Sequence, residues 1–199
     1  MNSENFSIQD NPFYQKGISA LRKNNYAYAV ELFQEVLKTN PDSPECLHNL
    51  WTAIRESNKT SKSSIFNMLF KQTKILTLNF KLIFLLLKNN PDPAITVLQK
   101  IILLNPDNIS AFYKLATLFI QQQKRALAKV SLEEALLINN NNLKVLAELA
   151  QLYLQDKDYQ KAKLIAQMLL KINPHHLEAE NILKNIAAFG VMEEGFDNP

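Results

Sequence analysis

Three histidines, one cysteine and a few carboxylates are what this chain of 199 residues has for chemistry. His175 with His176 would suit a metal, Cys46 with His48 a thiol–imidazole pair, and Glu133 with Glu134 a general acid–base dyad. Their spacing argues against each use. Residues one or two apart on a helix point in different directions, so Cys46 and His48 do not converge, and Glu133 and Glu134 diverge onto exposed faces. His175 and His176 fall in a turn between helices, where they are not aimed at one ion. No HExxH, EF-hand, nucleophile-elbow or Walker sequence occurs. Residues 18–189 contain no glycine, which excludes phosphate-cradling loops and dinucleotide fingerprints. The expectation is a protein that is not an enzyme and that uses no cofactor or metal.

The elements that would position any site are helices. Leu, Ala, Lys, Glu and Gln abound, eight prolines punctuate the chain, and 47% apolar residues suffice for a core. The net charge of +3 is too small to point to nucleic acid by itself, although residues 55–100 hold eight Lys and Arg against Glu56 and Asp92. The stretch from Glu178 onward is acidic. A lone cysteine argues for a reducing compartment, and the opening residues carry neither a basic nor an apolar signal region, so a cytoplasmic location is expected. The most apolar stretch, Ile65 to Leu87, is broken by Lys71, Gln72, Lys74 and Lys81. Within it Ile75 to Leu87 is apolar enough for a buried helix but too short to span, so it reads as core and no membrane span is expected.

Internal repetition is the strongest signal. Pro41, Pro106, Asn140 and Pro174 close four similar segments at steps of 65, 34 and 34 residues. The same steps separate Ala29, Ala94, Ala128 and Ala162, and again Gly17, Leu82, Ala116 and Ala150. Bulkier columns follow them: Phe33, Leu98, Leu132 and Ala166, then Val36, Ile101, Ala135 and Leu169. Each period reads as two amphipathic helices in which small residues permit close approach and large ones fill the grooves. One such pair cannot bury its own apolar face, so pairs must stack.

This pattern resembles the tetratricopeptide repeat family. Residues 143–176 carry the resemblance best, with Leu146, Leu149, Ala150, Tyr153, Tyr159, Ala162, Leu169 and Pro174. Residues 10–43 follow with Phe13, Gly17, Tyr26, Ala29, Phe33, Val36 and Pro41. Units 75–108 and 109–142 also match, with Pro91 and Arg125 in place of the usual aromatic. Residues 44–74 are a degenerate unit, shortened by three residues, whose first helix holds Leu47, Leu50, Trp51 and Ile54. The polar link Ser57–Ser64 and a second helix near Ile65–Thr73 complete it. A cap helix at 177–189, a flexible N-terminus at 1–9 and a flexible acidic tail at 190–199 complete the expected organisation. The resemblance implies an all-α fold, a right-handed superhelical solenoid of stacked antiparallel helix pairs.

It also implies a working surface, because stacked first helices of the family line a concave groove. Carried over by position, the lining is Tyr14, Ile18 and Arg22, then His48, Asn49, Thr52 and Arg55, then Asn79, Phe80, Ile83 and Leu87. Tyr113, Lys114, Thr117 and Gln121 follow, and then Lys144, Glu148, Gln151 and Gln155. The middle of this set is apolar and suits a peptide or helix of a partner protein. The alternative is that Phe80, Ile83 and Leu87 bury against neighbours or the 57–74 segment. Family members that clamp C-terminal carboxylates use Lys, Asn, Asn, Lys and Arg. Starting from 75–108, the corresponding residues here include Asn79, Ile83, Lys114, Lys144 and Glu148, and Glu148 would repel a carboxylate. The implied function is a noncatalytic scaffold or adaptor with a protein partner and no small-molecule substrate. A dedicated chaperone for an apolar secretion or membrane-complex client is the alternative. Nucleic-acid binding through Lys59, Lys62, Lys71 and Lys74 is weaker, since no aromatic platform interleaves them.

Overall fold

The computed structural model describes residues 8–60 and 65–196. Among these residues the chain is all-α. A 3-10 turn at Ile8–Asp10 precedes α1 (Pro12–Arg22), α2 (Tyr26–Thr39), α3 (Pro44–Thr60), α4 (Ile65–Leu87) and α5 (Pro91–Leu104). Then come α6 (Ile109–Gln121), α7 (Arg125–Ile138), α8 (Leu143–Gln155), α9 (Tyr159–Ile172) and α10 (Leu177–Phe196).

The repeat is written into the helix ends. Ser43, Asn108, Asn142 and His176 occupy one column and cap α3, α6, α8 and α10. In each case a side-chain acceptor takes the backbone N–H three residues on, satisfying a donor that the first turn leaves open. His176 does this through Nδ1, 3.4 Å from the N–H of Ala179. The opposite turns are equally regular. Asn24, Asn89, Gln123 and Lys157 sit at φ of 58°, 50°, 61° and 60°. After each of them the next N–H reaches the carbonyl five residues back: Asn25 to Ala20, Asn90 to Leu85, Lys124 to Phe119 and Asp158 to Tyr153. These are Schellman closures made without the glycine that usually supplies positive φ.

The chain divides into two units, Met1–Ser131 and Leu132–Pro199, with the boundary inside α7. In the first, α1 packs on α2, α2 on α3, α4 on α5 and α5 on α6. Phe33 is fully buried under Tyr14, ring centroids 5.9 Å apart. Gly17 is required there, since a Cβ would lie 2.6 Å from Cε1 of Phe33. Cys46, Leu47, Leu50, Trp51, Ala53 and Ile54 bury one face of α3.

Trp51 meets Phe112 in the first turns of α6, while Asp42, ahead of α3, pairs with Lys124, beyond α6, at 2.7 Å. The two helices therefore run antiparallel. Equivalent helices of an uninterrupted stack run parallel, because neighbouring repeats differ by a small rotation. The intervening α4 is a single helix of 23 residues, ~34 Å long, while Leu50, Trp51 and Ile54 of α3 line one cleft with Thr96, Gln99, Lys100 and Leu103 of α5.

Three boundaries differ from the sequence reading. The division expected between residues 74 and 75 lies inside α4, so Ile65–Thr73 is not a separate second helix. The link expected from Ser57 is helical through Thr60, and 61–64 lie outside the described residues. The tail expected as loose from residue 190 is helical through Phe196, while 1–7 and 197–199 lie outside the described residues.

In the second unit α8 packs on α9, and α10 packs on both. Leu146, Leu149, Ala150, Ala162, Ala166 and Leu169 form its centre, closed by Ala179 and Ile182 of α10. Each fully buried large side chain contributes about 1.5–3 kcal/mol.

Candidate functional site

Helix α4 is apolar on nearly every side, yet only Leu82 among its described large side chains is buried. Ile75, Leu78 and Leu85 share its half-buried side. On another side Leu69, Leu76, Phe80, Ile83 and Leu87 recur at steps of seven, four, three and four, which places them on one stripe. All are exposed, Phe80 at 68% and Leu87 at 82%. Phe84, at 56%, widens the stripe. The stretch expected to be core is thus largely surface: one side of α4 packs on α5 and nothing among the described residues covers the other.

The two sides of the stripe differ in charge. Lys74, Lys81 and Lys88, seven residues apart and all exposed, form a column on one side, beyond Thr77 and Phe84. Lys88 places Nζ 4.4 Å from the ring centroid of Phe84, a cation–π contact. The other side carries neutral Gln72 and Asn79, and no acid occurs from residue 57 to 91.

At its C-terminal end the stripe adjoins a cleft of about 440 Å³ between α4 and α6. Leu86, Asn89, Asn90 and Pro91 form one wall, and Tyr113, Lys114, Thr117, Leu118 and Gln121 the other. Four expected groove residues are therefore together here. Phe80, Ile83 and Leu87 are exposed along α4, and Asn79 is half-buried.

The remaining expected residues are placed less uniformly. Tyr14 is a correction: it is 3% exposed, packs on Phe33 and accepts a hydrogen bond from Nδ2 of Asn49 at 2.9 Å, so it belongs to the core. Ile18 and Thr52 are half-buried, and Arg22 and His48 are exposed. Arg55 is half-buried beside Glu56 and Thr52. Lys144 and Gln155 are exposed on α8, with Glu148 and Gln151 half-buried there.

Burial shifts three titratable groups among the described residues. Burial pushes the Cys46 thiol up to about 12, and its Sγ donates to the carbonyl of Phe33. Burial, reinforced by Glu45, raises Tyr14. Burial and then Glu133, which accepts from its hydroxyl, raise Tyr153. Glu134 is 2% exposed, so the expectation that both carboxylates of this pair lie on open faces is corrected. Among the described residues no three His, Cys, Asp or Glu side chains gather into a metal site. Of the lysines considered for nucleic acid, Lys59 pairs with Glu56 at 2.7 Å, Lys71 is half-buried, Lys74 lies in the exposed α4 column, and Lys62 is outside the described residues. No helix among the described residues is long and apolar enough to cross a membrane.

Sequence reasoning missed that Asn89, Asn90 and Pro91 wall the cleft and that α4 is continuous. The second had a signal: no Gly, Pro or Asn occurs between Asn67 and Asn79 to end a helix.

Models of the tetratricopeptide repeat match residues 13–43 and 119–186. No curated protein matches the chain in sequence. Among solved structures, the chain is similar to the TPR domain of P58(IPK), with 14% identity and a TM-score of 0.60 over 94% of this chain and 66% of that one. It is also similar to the first TPR of Spaghetti (RPAP3) bound to the HSP90 peptide SRMEEVD, with 22% identity and a TM-score of 0.53 over 60% of this chain and 94% of that one. The second TPR domain of human RPAP3, in complex with the HSP70 peptide SGPTIEEVD, gives 16% identity and a TM-score of 0.52 over 59% and 98%. The repeating caps, the turns at matching positions and the small-residue columns agree with these matches, and the chain contains tetratricopeptide repeats at 13–43 and 119–186.

Proposed function

We infer that this protein is a noncatalytic adaptor that docks a segment of a partner protein on the exposed face of α4 and the adjoining α4–α6 cleft. The observation that carries this reading is the exposed stripe Leu76, Phe80, Ile83 and Leu87, because a soluble monomer rarely leaves so continuous an apolar surface in water. Phe80, Ile83 and Tyr113 serve as apolar anchors, and Lys114 selects charge. The solved RPAP3 domains hold HSP90 and HSP70 peptides, which supports a protein partner here. Ile83 and Glu148, at positions where carboxylate clamps carry Asn and Arg, favour a different kind of segment. A cytoplasmic site of action is supported by the single buried cysteine.

The test is affinity purification with crosslinking from the native cell, comparing the wild type with a Phe80→Glu plus Ile83→Glu variant. Partners retained by the wild type are expected to be lost from a variant that keeps its helical circular dichroism. Unchanged partners on a folded variant would remove the docking assignment. The same stripe favours a chaperone for an apolar client as a second reading. Co-expression separates the two, since a chaperone keeps one client soluble whereas an adaptor joins two proteins that are stable alone.

A further inference from the structure

The stripe on α4 has a geometry and a charge pattern that narrow its occupant. Leu76, Phe80, Ile83 and Leu87 alternate steps of four and three, the spacing by which one helix seats its side chains between those of another. An extended peptide alternates its side chains every two residues and does not keep this register. On one side, a row beyond Thr77 and Phe84, Lys74, Lys81 and Lys88 add a positive charge every two helical turns, without an acid from 57 to 91 to offset them, and Lys88 reaches back over the Phe84 ring. We propose that the α4 face binds an amphipathic helix of a partner protein whose apolar seam is bordered on one side by a column of acidic residues. This rests on the reading that α4 is the docking face.

A second copy of the chain fits less well. Two α4 helices packed antiparallel bring equivalent edges together and set lysine against lysine. Packed parallel, they set the lysines against the neutral Gln72–Asn79 edge. An anionic membrane surface has no need of a seam in register or of charge on one side alone, and α4 is nearly apolar all round where interfacial helices keep a strongly polar face.

The experiment is fluorescence anisotropy of the full chain at low salt with labelled synthetic peptides. One is a three-heptad helix with a leucine seam and Glu along one flank. A second carries Lys in place of Glu, and a third has the composition of the first but prolines that keep it extended. Vesicles of phosphatidylcholine with phosphatidylserine form the last arm. The Glu-flanked helix is expected to bind about tenfold or more tightly than the Lys-flanked one, as three exposed ion pairs would give. Added salt should narrow the gap. The triple variant Lys74→Glu, Lys81→Glu, Lys88→Glu should invert the preference.

Equal affinity for the two helices, an unmoved preference in the triple variant, tighter binding of the extended peptide, or preferential capture by the vesicles would each overturn the proposal. The underlying reading is separated by Phe80→Asp plus Ile83→Asp. If peptides bind without charge preference and this variant abolishes binding, α4 remains the docking face and only the acidic flank fails. If the variant binds like the wild type, or no peptide binds the wild type, the docking face fails as well.

Discussion

Trp51 of α3 stands edge-on to Phe112 of α6, ring centroids 5.5 Å apart and planes at 86°. Both rings are almost completely buried, so the contact ties the first three helices to α5 and α6 within their unit. Trp51→Ala is expected to cost about 3–5 kcal/mol in chemical denaturation. The indole N–H meets no acceptor among the described residues, so Trp51→Phe should cost far less. A double-mutant cycle with Phe112→Ala should return a coupling of about 0.5–1.5 kcal/mol. A coupling of zero would mean that α3 and α6 do not pair in solution as described.

Gly17→Ala should destabilise the protein although it improves helix propensity. Alanine gains about 1 kcal/mol in a helix interior, but here its Cβ meets Phe33, which is fully buried and cannot swing aside. Overpacking of this kind costs about 1–3 kcal/mol. The melting temperature should fall, and Phe33→Leu in the same chain should recover part of the loss.

Two neighbours on α4 should behave oppositely. Leu82, 1% exposed, should lose about 2–5 kcal/mol on truncation to alanine. Phe80→Ala should lie within about 0.5 kcal/mol of the wild type, since it removes a ring already in water. Equal losses at both positions would show that the outer face of α4 is covered in the free protein.

Gln123→Gly should stabilise. Gln123 closes the α6–α7 turn at φ of 61°, where a side chain with Cβ is strained by roughly 1 kcal/mol. Glycine removes that strain at some cost in unfolded-chain entropy, leaving a gain of about 0.5 kcal/mol. Asn24→Gly should gain less, because asparagine tolerates this conformation.

Tyr153 links folding to alkaline pH. Its phenol is raised above the ordinary value of 10.0 by burial and by the Glu133 carboxylate it donates to. The fold therefore favours the neutral form, which is fully stabilising below pH 10 and is progressively lost as pH rises above it. Tyr153→Phe should be about 1–2 kcal/mol less stable at neutral pH. Its stability should also decline less steeply than that of the wild type above pH 10, as followed by urea denaturation across that range.

Columns of identical spacing made most of the helices legible in the sequence. Ala29, Ala94, Ala128 and Ala162 are all fully buried, as small residues at close helix contacts require. The same spacing recurs in the caps and turns of the structure, because helix ends are set by residues within a few positions of one another. Tyr14 and Glu134 were not legible, because whether a polar side chain faces water depends on helices distant in sequence.

Ile65–Leu87 marks the division most clearly. Its composition determines a helix, and the spacing of Leu76, Phe80, Ile83 and Leu87 determines a stripe. Periodicity reports which residues share a face but not whether another helix covers it. Only the tertiary structure decided that α4 packs on one side, that α3 turns back against α6, and that the apolar stripe is left open beside a cleft. Burial is settled by which surfaces the rest of the chain reaches, and that is a property of the folded molecule.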